Sequence, residues 1–214
     1  MFKIIKLKGT DGIVNYYILK KHYLGRKPSV SYAFGLFLNN KISGIITFGK
    51  PASNSLCEGV CGKQYKANVF ELNRLITDDD LPKNTLSKFV STALKMLPKD
   101  LIIVSYADSG MNHNGYIYQA TNFIYTGITK QRTDKYTPNG KHSRHYNNEF
   151  NHLRKVRTAK HRYIYFTGKN KKWLKLLNYD IKKYPKGKND QYILGTKMKT
   201  KIIDNNNNIK YYEW

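Results

Sequence analysis

Ionisable, hydroxyl and amide side chains are concentrated in residues 105–122, at the end of an apolar run. They are Ser105, Tyr106, Asp108, Ser109, His113, Tyr116, Tyr118 and Asn122. A carboxylate or an imidazole can accept a proton from an attacking group, and a phenol or hydroxyl can protonate a leaving group. We therefore predict Asp108 or His113 as the base and Tyr118 as the acid, with Ser109 and Tyr106 completing the catalytic set. The alternative is that Asp108 caps the next turn and the tyrosines pack in the core.

A strand–helix–strand unit is predicted to position this segment. Residues 69–76 alternate like a strand, residues 84–97 carry one continuous apolar helix face, and residues 101–106 are apolar throughout, as in a central strand. A helix of this length implies a right-handed crossover between parallel or nearly parallel strands. Ligands bind at the carboxyl ends of such strands, so the chain just after each strand is expected at one edge of the sheet. Alternation places Glu71 and Arg74 on opposite faces, where they cannot pair directly.

The rest of the chain is predicted to continue this α/β pattern. The N-terminal part contains a strand (2–7), a helix (11–24), a hairpin (31–38 and 42–48, joined at Asn39 and Asn40) and a surface loop (52–67). The C-terminal part contains an irregular stretch rich in basic residues and tyrosine (131–146), a basic stretch (154–160), a strand (161–166), a short basic helix (169–179) and a terminal hairpin. We expect the irregular stretch to contact phosphates and stack on bases.

The charge of the chain is strongly positive and uneven. Lys and Arg number 38 against 14 Asp and Glu, giving +24; residues 1–128 carry 16 basic and 8 acidic side chains, and residues 129–214 carry 22 and 6. Such an excess attracts polyanions, and 18 Tyr and 9 Phe supply stacking surfaces, so nucleic acid is the expected partner. A Lys-rich surface from a biased genome is the alternative. With no long apolar run and no signal-like N-terminus, we expect a cytoplasmic protein without membrane contact.

Metal and disulfide sites are not predicted. Cys57 and Cys61 have no second cysteine pair and no nearby histidine, so a structural zinc site would lack ligands. Two reduced thiols are expected, with a regulatory disulfide as the alternative. One iron site is considered, from His22, Asp108 and His113, because two histidines and a carboxylate suit iron.

Four strings of the sequence are distinctive. They are YAFGLFLNNKISGIITFGKPAS, VFELNRL, LPKNTLSKFVSTAL and VSYADSGMNHNGYIYQATNFIYTG. Together they resemble the Mom family of phage DNA-modification proteins, which are similar to acyl-CoA-dependent N-acetyltransferases (GNAT). The resemblance implies an α/β (α+β) fold with a GNAT-like mixed central sheet flanked by helices. It also implies transfer of a carbamoylmethyl group to N6 of adenine in double-stranded DNA, which protects phage DNA from host restriction. On this interpretation residues 1–128 are the catalytic core, and the basic residues 129–214 complete the sheet and contact DNA.

The donor site implied by the resemblance is atypical here. GNAT proteins usually hold the donor pyrophosphate on a Gly-rich turn before the central helix, whereas TDDDLPKNTLSK has no glycine and three carboxylates. The resemblance implies that an acyl-CoA such as acetyl-CoA is the group donor, but the sequence of this turn does not confirm it. Lys83, Asn84, Ser87 and the first helix amides could still bind phosphate, with Leu75 and Asn122 as further donor contacts. The alternative for Asn84 is a simple helix N-cap.

Predicted DNA contacts lie in the hairpin, the strand of residues 69–76 and the basic C-terminal half. They are Ser31, Tyr32, Lys50, Arg74, Arg132, Lys135, Arg144, Arg154 and Arg157. A flipped adenine would stack on Tyr32 or Phe48, although Phe48 is more typical of a core residue. Two alternative functions stay open: an N-acetyltransferase acting on a protein or small amine, and a non-catalytic DNA-binding or host-takeover protein. A monomer and a homodimer are both compatible with the sequence.

Overall fold

A seven-stranded mixed sheet forms the centre of the molecule. The computed structural model describes residues 1–138, 147–168, 171–187 and 199–213. The sheet contains β1 (Phe2–Leu7), β2 (Tyr32–Leu38), β3 (Lys41–Gly49), β4 (Val69–Thr77), β5 (Ile102–Asp108), β6 (Ile124–Ile128) and β9 (Lys160–Phe166). They lie in the order β1-β2-β3-β4-β5-β9-β6. Because β9 lies between β5 and β6, the basic half of the chain contributes a strand to the central sheet.

Helices cover both faces of this sheet. They are α1 (Gly12–Tyr16), α2 (Asn54–Cys61), α3 (Thr85–Met96), α4 (Tyr116–Ala120) and α5 (Lys171–Leu176). Two core clusters lie on opposite faces of the sheet. Phe89 of α3 is buried in one and Trp173 of α5 in the other, and neighbouring residues of β4 and β5 point alternately into the two clusters. The predicted fold, a mixed central sheet flanked by helices, is thus confirmed. No helix among the described residues combines the length and apolar composition that a membrane span requires.

The predicted strand–helix–strand unit is confirmed as β4–α3–β5, and its strands are parallel. They pair only from Val69–Glu71 to Ile102–Val104. Beyond these residues β4 continues along β3 and β5 continues along β9, so β4 and β5 separate. Asn84 precedes α3 in a left-handed conformation (φ 64°), and its side chain makes no cap hydrogen bond. Asn84 therefore occupies the N-cap position, as the structural alternative anticipated, but its side chain does not cap the helix.

The N-terminal hairpin is confirmed, and the helix before it is shorter than predicted. Asn39 and Asn40 join β2 to β3 with positive φ angles of 48° and 65°, as a tight hairpin turn requires. After α1 the chain widens into a π-helical turn over Tyr17–Lys21, and His22 is already extended. The imidazole Nδ1 of His22 accepts a hydrogen bond from the Leu24 amide (3.0 Å), which ends the helix early.

The predicted surface loop at residues 52–67 is wrong, because this stretch contains α2 and a 3₁₀ turn over Lys63–Asn68. The Ser53 hydroxyl caps α2 by accepting a hydrogen bond from the Leu56 amide (3.2 Å). Cys57, Val60 and Cys61 follow helical spacing and are buried against the sheet. Both thiols are free, as expected, and burial raises the pKa of Cys61 to about 11.

The basic C-terminal half also forms a second sheet. It contains β7 (Arg132–Lys135), β8 (Leu153–Arg157), β10 (Lys199–Asp204) and β11 (Ile209–Glu213), in the order β11-β10-β8-β7. The predicted terminal hairpin, strand at residues 161–166 and short helix are present as β10–β11, β9 and α5. By contrast, residues 132–135 and 153–157 are strands rather than irregular or merely basic stretches, because they pair with each other. Residues 139–146 lie outside the described residues.

Candidate functional site

A cavity of about 1630 Å³ opens where β4 and β5 separate. Its walls come from β4, the end of β5, the start of α4, the segment after α1, and β7 with β8. Residues just after β4, such as Asp79, and just after β5, such as His113, both line this cavity. This agrees with the prediction that the segments following the two parallel strands lie at one edge of the sheet. The second sheet brings a basic wall to it that no local sequence pattern indicated.

Glu71 lies at the point where the two strands part, opposite Val104 in the last parallel pair. Burial raises the pKa of its carboxyl group, although nearby cations act in the opposite direction. Those cations are Lys160, Arg74 and Arg157. Sequence reasoning did not select Glu71 as a site residue. The available signal was the single carboxylate of β4, flanked by Phe70 and Leu72.

A β-bulge brings Arg74 to the same cavity as Glu71. Thr47 pairs with Arg74 and Phe48 pairs with Leu72, which leaves Asn73 as the extra residue. Strict alternation therefore failed, because both charged side chains line the cavity. No ion pair between them occurs in the part of the chain that the structure describes.

The Arg74 guanidinium is held by backbone carbonyl groups rather than by a carboxylate. It is 7% exposed and donates to the carbonyls of Asn73 (2.6 Å) and Arg26 (2.8 Å). Its Nε has no hydrogen-bond partner. Burial is the main cause that lowers the pKa of Arg74 to about 10.

Asp108 lies in the cavity as a paired carboxylate. It contacts the Lys160 ammonium (3.1 Å) and accepts hydrogen bonds from the Gly110 amide (3.0 Å) and the Thr158 hydroxyl (2.5 Å). Burial alone would raise its pKa, but the lysine and these donors outweigh burial and lower it. Asp108 therefore stays ionised and caps the turn after β5, as the structural alternative anticipated. A carboxylate with a lowered pKa is a weak proton acceptor.

Two phenols, Tyr106 and Tyr118, face the cavity near Glu71. Burial raises the pKa of both, and the Glu71 carboxylate adds to each shift. These hydroxyls therefore stay protonated and can donate hydrogen bonds.

The other two predicted catalytic residues, Ser109 and His113, differ in position. Ser109 donates to the Ala159 carbonyl (2.7 Å) and is not part of the cavity lining. His113 lines the cavity, and its backbone amide donates to the Asp108 carbonyl (3.1 Å).

The alternative iron site has no support. His22, Asp108 and His113 all line the cavity, but no group of three His, Cys, Asp or Glu side chains among the described residues could hold a metal ion. His22 already accepts a hydrogen bond through Nδ1, and Asp108 is paired with Lys160. Burial is the main cause that lowers the pKa of His22 to about 3, so this ring is neutral.

The predicted donor contacts fall around the N-terminus of α3. Asn84 and Ser87 line the large cavity and also a smaller one, which Lys83 lines as well. Asp78 is turned away by an ion pair with Lys21, so one of the three carboxylates no longer opposes an anion there. The first amide of α3, that of Thr85, already donates to the Pro82 carbonyl (3.1 Å), so the predicted phosphate site depends on the amides that follow it in the first turn.

Of the other two predicted donor contacts, one lines the large cavity and one does not. Leu75 lines the large cavity, whereas Asn122 lies in the turn after α4 with φ 62° and lines neither cavity.

Four of the predicted DNA contacts line the cavity, namely Lys50, Arg74, Arg132 and Arg157. The others do not: Ser31, Tyr32, Lys135 and Arg154 lie elsewhere, and Arg144 lies outside the described residues. Tyr32 packs on Phe70 with ring centroids 5.5 Å apart, and Phe48 is fully buried in the core. Stacking of an adenine on Phe48 is therefore excluded, and Tyr32 is engaged by the core.

Comparison with known proteins now assigns the family. The model of the Mom protein family matches residues 10–186. The chain belongs to the Mom protein family. A curated Mom relative, methylcarbamoylase mom of Escherichia phage Mu, is 31% identical over 115 residues, which cover 51% of this chain and 48% of the relative. The match thus spans about half the length of that Mom protein.

Solved structures similar to this Mom chain are acetyltransferases. A GNAT family acetyltransferase from Bacillus cereus covers 79% of this chain and 99% of its own, with 12% identity and a TM-score of 0.43. A Bacillus subtilis acetyltransferase in complex with CoA covers 78% and 100%, with 10% identity and a TM-score of 0.40. An N-acetyltransferase from Staphylococcus aureus covers 78% and 98%, with 14% identity and a TM-score of 0.46.

Proposed function

We propose that this protein modifies double-stranded DNA by transferring a carbamoylmethyl-type group to N6 of adenine. One observation carries the proposal: the cavity at the parted strands is lined by Glu71, a carboxylate whose pKa is raised by burial, and by a cationic wall on one side. A cavity of about 1630 Å³ is large enough for a nucleobase together with a donor group. Membership in the Mom family and the name of the phage Mu relative, a methylcarbamoylase, support transfer of a group of this type.

In the proposed reaction Glu71 accepts the proton that N6 releases. N6 forms a bond to the transferred carbon while the bond from that carbon to the leaving group breaks, and the leaving group keeps the electron pair. An exocyclic amine is a poor nucleophile, so removal of its proton favours the step. The raised pKa of Glu71 suits it to this role better than Asp108, whose pKa is lowered. We therefore assign proton acceptance to Glu71 rather than to Asp108 or His113.

The remaining groups of the cavity orient the reactants. Tyr118 and Tyr106 stay protonated, so they can donate hydrogen bonds to the substrate or to the departing group. Asp108 fixes the turn after β5 and holds Lys160 at the cavity wall. A CoA-type donor, when bound, would supply the activated group, with its phosphates at Lys83, Asn84 and Ser87.

The adenine must leave the duplex to reach Glu71, because N6 is engaged in the base pair with thymine and Glu71 lies inside the cavity. The cations of the second sheet lie beside the cavity and would hold the phosphate backbone while the base is extruded. In this proposal the protein acts on phage DNA in the host cytoplasm and shields that DNA from restriction.

Mass spectrometry of nucleosides tests this proposal. DNA from cells that express the wild-type protein should contain a carbamoylmethylated deoxyadenosine, and DNA from cells that express Glu71→Gln should contain far less. Unmodified DNA from well-expressed, folded wild-type protein would exclude the proposal. An N-acetyltransferase acting on a protein or small amine would instead leave the DNA unmodified and acetylate the other substrate.

A further inference from the structure

Two polar side chains, those of Glu71 and Tyr106, flank the point where β4 and β5 separate. Glu71 pairs with Val104 in the last parallel pair, and Tyr106 follows Val104 by two residues on β5. Because side chains alternate along a strand, Tyr106 points to the same face of the sheet as Val104 and therefore as Glu71. The carboxylate and the phenol are thus diagonal neighbours across the opening between the strands, and both line the cavity.

Both groups are open to the cavity and have no partner in the described parts of the chain. The Glu71 carboxylate and the Tyr106 hydroxyl make no hydrogen bond or ion pair there, and neither is among the unpartnered atoms sealed in the interior. Other polar side chains of the cavity are engaged. Asp108 is paired with Lys160, and the Tyr116 hydroxyl donates to the Gly187 carbonyl. Glu71 and Tyr106 are therefore available to a ligand.

The position of the Tyr106 ring is fixed by its surroundings. The ring packs against the core cluster that contains Val104 and Trp173. Across the sheet Tyr106 pairs with Arg162 of β9. The Arg162 guanidinium is occupied in turn, because it donates to the Thr126 hydroxyl (2.9 Å) and carbonyl (3.3 Å) and lies 3.4 Å from the centroid of the Tyr179 ring. A ring held in this way presents its hydroxyl in a defined position.

A carboxylate beside a phenol matches the hydrogen-bonding edge of adenine. An ionised carboxylate only accepts hydrogen bonds, whereas a protonated phenol can donate one. Burial is the main cause that raises the pKa of Tyr106, so this phenol is protonated. The Watson–Crick edge of adenine has the complementary order, because the N6 amino group donates and the neighbouring N1 accepts. Guanine would instead place its O6 carbonyl against the carboxylate, and two acceptors repel each other.

We propose that Tyr106 determines base specificity by donating a hydrogen bond to N1 of the extruded adenine while Glu71 faces N6. The inference rests on the proposed function and adds to it the residue that recognises the base. Extruded bases are commonly recognised through the Watson–Crick edge. Tyr118 packs in the other core cluster, on the opposite face of the sheet, and is therefore not assigned to this edge.

The experiment compares three DNA duplexes that each carry one bulged base: adenine, 1-deazaadenine or 7-deazaadenine. A bulged base is unpaired, so removal of N1 disrupts no base pair. By fluorescence anisotropy, wild-type protein should bind the adenine duplex about fivefold more tightly than the 1-deazaadenine duplex, as expected for one hydrogen bond. It should bind the 7-deazaadenine duplex as tightly as the adenine duplex. Discrimination against 7-deazaadenine instead of 1-deazaadenine would overturn the proposal.

Tyr106→Phe removes the hydroxyl and keeps the ring. This variant should bind the adenine and 1-deazaadenine duplexes equally, because the partner of N1 is gone. A preference for adenine equal to that of wild type would refute the role of Tyr106. The comparison of the three duplexes with wild-type protein needs no variant, so it tests recognition of N1 even if Tyr106→Phe does not fold.

Tyr116→Phe is the matched control. Tyr116 also lines the cavity, but its hydroxyl is already bonded to the Gly187 carbonyl. Tyr116→Phe should therefore keep the preference for adenine over 1-deazaadenine. Equal loss of this preference in Tyr106→Phe and Tyr116→Phe would show a general effect of removing a phenol and contradict the assignment.

Nucleoside mass spectrometry separates failure of the inference from failure of the proposed function. If wild-type protein leaves DNA unmodified but its preference for adenine over 1-deazaadenine requires Tyr106, the recognition site stands and the proposed reaction fails. If wild-type protein modifies DNA but binds the three duplexes equally, the proposed reaction stands and the inference is wrong.

Discussion

The two carboxylates of the cavity should respond in opposite ways to neutral replacement. Glu71→Gln and Asp108→Asn each remove a negative charge with little change in shape. Glu71 has a raised pKa because burial disfavours its charge, whereas Asp108 has a lowered pKa because Lys160 and two hydrogen-bond donors outweigh burial. The folded protein therefore resists the charge on Glu71 and requires the charge on Asp108.

The expected magnitudes follow from these contacts. Removing a general base costs about 10²–10⁴-fold in rate, so Glu71→Gln should lose nearly all modification. Its free energy of unfolding at neutral pH should be equal to or higher than that of wild type. Asp108→Asn loses the contact with Lys160 and should be destabilised by about 1.5–3 kcal/mol, the typical value of a hydrogen bond to a charged group. That corresponds to a melting temperature lower by roughly 3–12 °C.

The pH dependence provides an independent check with opposite signs. The stabilising contribution of Glu71 is complete below its ordinary pKa of 4.5 and is lost as the pH rises through its raised pKa. The contribution of Asp108 is present above its ordinary pKa of 3.8 and is lost as the pH falls through its lowered pKa. In Glu71→Gln, the free energy of unfolding should fall less as the pH rises through the raised pKa of Glu71. In Asp108→Asn, it should fall less as the pH drops through the lowered pKa of Asp108.

Urea unfolding across this pH range and nucleoside mass spectrometry together test the reasoning. The assignment of Glu71 is refuted if Glu71→Gln modifies DNA at the wild-type rate. The electrostatic argument is refuted if the two variants change the free energy of unfolding in the same direction. Low activity of Glu71→Gln with strongly reduced stability would indicate a structural role instead.

A further outcome concerns Gly49 at the end of β3. Gly49→Ala should destabilise the fold by more than the 1–3 kcal/mol that is typical of overpacking, because a Cβ there would lie 1.8 Å from the Ser29 carbonyl oxygen. Gly12→Ala is the matched control, since a Cβ there meets nothing within 4 Å, and equal loss in both variants by thermal unfolding would contradict the argument.

Local sequence patterns determined the elements that depend on short-range spacing. The β4–α3–β5 unit follows from alternation and helical periodicity, and the β2–β3 hairpin follows from two asparagines that tolerate positive φ. The same reasoning failed at α2, because its apolar face is short and gains its stability from Trp173, far along the chain. Helices of such length depend on tertiary packing more than on propensity.

The sequence also determined that ionisable side chains would meet after β4 and β5, since parallel strands end at one edge. Which of them share a cavity, and in which charge state, depended on contacts between distant segments. A bulge at Asn73 turned Arg74 to the side of Glu71, and Lys160 from β9 fixed Asp108 as an ionised carboxylate. The basic wall likewise required β7 and β8 to pair and lie against the segment after α1. Electrostatic interactions depend on distance and burial, so tertiary structure alone decided which carboxylate has a raised pKa and which a lowered one.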